Sequence, residues 1–116
     1  MVQLHHESQR QQFTSSAWIG LYNDITSWRW SLGNEPLGSV TQWMWGQPNN
    51  KDGHEECGAV NLWGWSDEPC TDMHSFLCFN ARNIGSNRYI HISNSMTWYE
   101  ARNYCRQHHT DLASAR

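Results

Sequence analysis

The sequence predicts an α+β domain built around a long irregular loop, on three observations. Short apolar, β-prone runs recur at Ala17-Trp18-Ile19-Gly20-Leu21-Tyr22, Gly58-Ala59-Val60-Asn61-Leu62-Trp63, Ser75-Phe76-Leu77-Cys78-Phe79 and Tyr89-Ile90-His91-Ile92. Two segments, residues 4–13 and 96–107, have helical character. Residues 31–56 hold many Gly, Asn and Pro and few periodic apolar residues. A long ordered loop of that kind inside a compact domain is usually functional.

Each element has its own reason. Residues 4–13 are polar and Gln-rich with few breakers, which fits a short surface helix ended by Thr14-Ser15-Ser16. The run from Ala17 reads as a buried strand. Trp28-Arg29-Trp30 alternates, so both indoles fall on one face of a second strand. The strand at Gly58 is read through Trp63, with Trp65 two residues on and sharing its face. Residues 80–88 are a polar, Gly-containing connector to the strand at Tyr89. In the second helix Trp98, Ala101 and Cys105 recur at three- and four-residue spacing. Thr97 followed by Glu100 forms a capping box at its start.

With 116 residues there is room for one ordinary domain with its own core. Eight Trp is far above common usage, and charged residues at 16% fall below the usual quarter. A net charge of −3 leaves no basic field, so nucleic acid is excluded as a partner. Apolar runs are too short to insert directly into a membrane. Cysteines stand at 57, 70, 78 and 105 without Cys-x-x-Cys spacing, which favours disulfides over free or metal-bound thiols. Disulfides imply an oxidising compartment, yet the first residues lack the apolar core of a signal peptide. A segment of a longer secreted or membrane protein is preferred over a cytosolic chain.

The richest stretch is residues 43–78. Amide and carboxylate oxygens from Gln47, Asn49, Asn50, Glu55, Glu56 and Asp67 are bunched inside a frame of Trp and Cys. Such clusters suit calcium, which takes six to eight oxygen ligands.

These landmarks resemble the C-type lectin-like domain family. The match runs through Trp18-Ile19-Gly20-Leu21, Trp28-x-Trp30, Gln47-Pro48-Asn49, Glu55-Glu56-Cys57, Trp65-Ser66-Asp67, Cys70 and Phe76-Leu77-Cys78. With the elements above, the expected architecture is the C-type lectin-like fold, with two small antiparallel sheets, two flanking helices and the long irregular loop. A second piece also resembles the family, but its beginning. Trp98-Tyr99-Glu100-Ala101-Arg102-Asn103-Tyr104-Cys105 matches the first helix and Asp111-Leu112-Ala113-Ser114 the strand after it.

The order is therefore back half, residues 1–80, then a connector, 81–88, then front half, 89–116. Either the chain is cut from a tandem array, or it is a permuted single domain, tolerable because the family's termini lie side by side. The resemblance implies that Cys57 pairs with Cys70. It also implies that Cys78 needs a first-helix cysteine, which Cys105 supplies if the chain folds alone. That is one of three connectivities open to four cysteines.

The resemblance further implies one calcium ion that binds vicinal sugar hydroxyls. Its ligands carry over to Gln47, Asn49, Glu55, Ser66 and Asp67, with Pro48 cis in ion-bound members. Gln47, Asn49 and Glu55 would also meet the sugar. Two positions depart from the pattern: Gln47-Pro48-Asn49 has amides on both sides, and Ser66 stands where the family has Asn. Fewer carboxylates weaken the ion, and two amides blur the donor–acceptor code that separates sugars. A secondary ion site is expected to be absent, because Asn23 and Ser27 stand at its positions with Asp24 nearby.

Blander roles compete. Glu55 and Glu56 are equally solvated charges beside a disulfide. Trp18, Trp43 and Trp65 match core landmarks, leaving Trp45 and Trp63 to stack on a ligand. The seven His, including His54 in the loop, show no metal spacing. Glu55 and Asp67 as a glycosidase pair have no other support, and no enzyme is expected. The expectation is a carbohydrate-recognition module with weak calcium binding and a glycan or glycoprotein ligand, extracellular or at the cell surface. Its rival is a calcium-independent protein-binding module of the same fold.

Overall fold

Alternation along an eight-residue strand organises the protein. In a computed structural model that describes residues 16–24, 27–38, 41–44, 46–48 and 56–114, strand β1 (Ala17–Asp24) lies at the centre of the sheet. Ala17, Ile19 and Leu21 point into one core with Trp30, Val60, Trp65, Leu77 and Phe79. Trp18 points the other way, into a second core with Cys57, Ala59, Phe76, Trp98, Ala101 and Leu112. Successive side chains of a strand leave opposite faces, so one apolar run feeds both cores.

The remaining elements are β2 (Ser27–Trp30), β3 (Cys57–Asn61), β4 (Gly64–Glu68), β5 (His74–Phe79), β6 (Tyr89–Met96), helix α1 (Trp98–His108) and β7 (Asp111–Leu112). A short 3₁₀ turn, Gly85–Arg88, precedes β6. All seven strands join one sheet in the order β4-β3-β1-β5-β6, with β2 on β1 and β7 on β5. This corrects the expectation of two small sheets. The first residues of β1 pair in parallel with β5 (Ala17↔Ser75, Trp18↔Phe76) and antiparallel with β3. Its last residues pair with β2, Leu21 opposite Trp30. One strand thus stitches together what the sequence divides.

The expectation of two flanking helices is corrected as well: the described residues contain one α-helix, and residues 4–13 lie outside them. In α1 the capping box is complete. The Glu100 N–H donates to the Thr97 hydroxyl at 3.3 Å, and the Thr97 N–H donates to Glu100 Oε1 at 3.0 Å. Trp98, Ala101 and Cys105 form its buried stripe. The Trp98 indole donates to the Ile19 carbonyl at 2.9 Å, and Cys105 is bonded to Cys78 on β5.

At the far end of α1 a polar network replaces apolar packing. Buried Asp111 accepts from the Ser31 hydroxyl at 2.7 Å and from Arg106 Nε at 3.2 Å. A buried carboxylate needs such partners, since stripping one from water without compensation is costly. The segment 89–114 thereby packs on β1 and on the start of the loop.

Candidate functional site

The β3–β4 hairpin positions the residues singled out above. Leu62 and Trp63 form its turn, and the Trp63 N–H donates to Asn61 Oδ1 at 2.9 Å. Short polar side chains favour turns by bonding the backbone two residues on. Trp63 is thus not part of β3. It stands 74% exposed at the hairpin tip, whereas Trp65 is buried in β4, so the expected shared face is corrected.

Trp65 anchors the described part of the loop. Its ring meets Trp43 at 5.5 Å and Trp30 at 5.5 Å, and Trp43 meets Trp28 at 5.0 Å, all edge to face. Its N–H donates to the Gln42 carbonyl at 2.9 Å, and its carbonyl accepts from the Met44 N–H at 2.8 Å. The loop can approach so closely because residue 64 is glycine. A Cβ there would stand 2.5 Å from the Gln42 carbonyl oxygen, and φ is +133°.

This edge carries the loop to Gln47, whose peptide bond to Pro48 is cis. Gln47 Oε1 accepts from the Asp67 N–H at 3.3 Å. Asp67 is 1% exposed and shares the face of Trp65 by strand alternation, opposite Gly58 on β3. Of the sequence-derived set, the Gln47 side chain therefore meets the backbone of Asp67. Ser66 lies on the other face, and its hydroxyl donates to Glu68 Oε2 at 2.9 Å. Asn49 and Glu55, with Trp45 and His54, lie outside the described residues.

The opposite face of β4 holds a group that sequence reasoning missed. Ligand atoms of Glu68, Asp72 and His74 all lie within 4.8 Å of one another, a donor set that can chelate a metal ion. Glu68 ends β4, Asp72 sits in the following turn, where its N–H donates to the Pro69 carbonyl at 3.0 Å, and His74 begins β5. The signal was a compact run of two acids and one His, residues 68–74, without a recognised spacing. The disulfide Cys57–Cys70 ties this turn to the start of β3.

A family model described as the Lectin C-type domain matches residues 2–80. A C-type lectin from Cerberus rynchops is 39% identical over 69 residues, 53% of this chain and 41% of that protein. Lectoxin-Enh3 from Pseudoferania polylepis is 38% identical over the same shares. Asialoglycoprotein receptor 2 from Mus musculus is 33% identical over 81 residues, 65% of this chain and 26% of the receptor. The chain thus spans less than half the length of these relatives.

Proposed function

This chain belongs to the C-type lectin domain family, and we propose that it is a recognition module that binds a protein partner without calcium. Proteins of this family are recognition modules rather than enzymes, and a disulfide-bonded domain of the kind fits an extracellular or cell-surface location. No helix among the described residues is long and apolar enough to cross a membrane.

The observation that carries the proposal is the commitment of Ser66. Calcium needs six to eight oxygens converging on one point. Ser66 donates to Glu68 on the face of β4 away from Asp67, and the Gln47 amide oxygen accepts from the backbone of Asp67. Ser66 is thus engaged within the protein and turned away from Asp67, which does not fit a calcium shell. Meanwhile Trp63 and Leu62, 74% and 42% exposed, offer an apolar knob at the hairpin tip. Exposed aromatic anchors are what protein interfaces use most.

The second reading keeps calcium-dependent binding of a glycan or glycoprotein, with Gln47, Asn49, Glu55 and Asp67 as the weak ion site and Trp63 stacking on the sugar. The approach of Gln47 to Asp67, 20 positions apart, favours it. So does the relationship to a receptor named for an asialoglycoprotein.

A thermal-shift titration of the oxidised chain with calcium, followed by a glycan array, separates the two. We expect no calcium shift up to millimolar levels and no retained sugar. A calcium-dependent rise in melting temperature that Asp67→Ala abolishes, together with sugar retention, would overturn the protein-binding proposal.

A further inference from the structure

The geometry points to a divalent transition-metal site of the zinc class at Glu68, Asp72 and His74, independent of the loop-side residues Gln47 and Asp67. Strand alternation separates the two places. Glu68 stands opposite Cys57, on the face of the sheet that holds Trp18, Cys57 and Ala59, whereas Asp67 shares the face of Trp65.

Two independent observations carry the assignment. The first is the donor set, one imidazole and two carboxylates with ligand atoms within 4.8 Å. Ligands about 2.1 Å from a tetrahedral ion lie roughly 3.4 Å apart, a closure that side-chain rotation of Glu68 and solvent-exposed Asp72 can supply. The second is His74 itself. Its Nε2 atom is shut off from solvent and has no hydrogen-bond partner among the described residues. The nearest recorded carboxylate oxygen, Glu68 Oε1, stands 4.0 Å away, too far for a hydrogen bond. A buried nitrogen left this way costs free energy, and an ion between it and the carboxylate satisfies both.

The surroundings hold the donors in place. The Ser66 hydroxyl occupies Glu68 Oε2, which leaves Oε1 toward His74. The Trp18 ring meets the imidazole edge-on at 4.7 Å, and Trp18 is itself fixed by donating to the Met96 carbonyl at 3.0 Å. Outer partners of this sort orient metal ligands and typically matter 10–100-fold in affinity. The Cys57–Cys70 bond and the Pro69–Asp72 turn set the spacing of the three. An imidazole ligand disfavours calcium and suits zinc and its neighbours. Exposed Asp72 leaves an open side where water completes the coordination.

The test is calorimetry and thermal shift of the oxidised chain with zinc alone, and with calcium alone at equal concentration. We expect one zinc per chain, a raised melting temperature and no competition from calcium. Asp72→Asn, at an exposed position, should weaken zinc at least tenfold while the unliganded melting temperature stays put. Glu68→Gln should do the same, and His74→Gln should abolish binding. X-ray absorption should show one nitrogen and otherwise oxygen neighbours. No zinc binding at submillimolar concentration, or binding unchanged in both Asp72→Asn and Glu68→Gln because other histidines hold the ion, would overturn the proposal.

Discussion

The two faces of β4 carry neighbouring acids in opposite circumstances. Asp67 is sealed at 1% exposure beside Trp65, and its backbone N–H is capped by the Gln47 amide. Glu68, one residue on, has a side chain 26% exposed and faces His74 and Asp72. A single residue step in a strand reverses the direction of the side chain, so adjacent acids join different environments. Their shared position in the sequence conceals this. The loop-side face is a packed aromatic wall, and the other carries a polar cluster beside the Cys57–Cys70 bond.

The largest expected effect comes from breaking the wall. Trp65→Ala should destabilise the protein by about 3–5 kcal/mol, read by urea unfolding, because Trp30 and Trp43 both rest on it. If the faces are independent, the surviving folded protein keeps its zinc response. Loss of both together would mean that the two faces are one unit.

Overpacking the same face should cost less. A Cβ on Gly58, opposite Asp67, would stand 2.7 Å from the Leu21 Cβ. Gly58→Ala should therefore cost about 1–3 kcal/mol; a neutral result would show that β1 and β3 shift apart freely.

Ser66→Ala sharpens the contrast most directly. It should cost about 1 kcal/mol for the lost bond to Glu68 and weaken zinc several-fold. Any calcium response should stay unchanged. A lost calcium response would return Ser66 to the loop-side set.

The smallest effect lies outside both faces. Burial holds the His91 imidazole on β6 below its ordinary value. A folded value below the unfolded one gives stability that is present above about pH 6.5 and lost as pH falls below it. In chelator, so that zinc release plays no part, the melting temperature should fall on acidification, and His91→Gln should flatten part of that fall.

Much of the fold was legible. The helix announced itself through Thr97, Glu100 and the stripe Trp98, Ala101 and Cys105, since capping and helical spacing are local. The strands at Ala17, Trp28, Ser75 and Tyr89 were equally readable as short apolar runs. The hairpin turn was not. Leu62 and Trp63 prolong the composition of a strand, and the bend depends on Asn61 bonding back and on the backbone of Gly64. The single sheet was hidden too, because the β1–β5 ladder is two residue pairs long and parallel, without a turn to mark it. For the site, the loop-side residues were read from their resemblance to a family, whereas Glu68, Asp72 and His74 had no such landmark.

By itself the sequence determined the oxidising context and the positions of most elements, because these follow from residue types and short-range periodicity, while its ordered landmarks carried the resemblance to the family. Tertiary structure alone decided that one seven-stranded sheet forms, that Trp63 stands free while Trp65 is buried, and that Ser66 serves Glu68 rather than Asp67. Those outcomes depend on which side of the sheet each residue leaves and what long-range neighbour waits there. Burial and direction belong to the packed chain, and no local pattern encodes them.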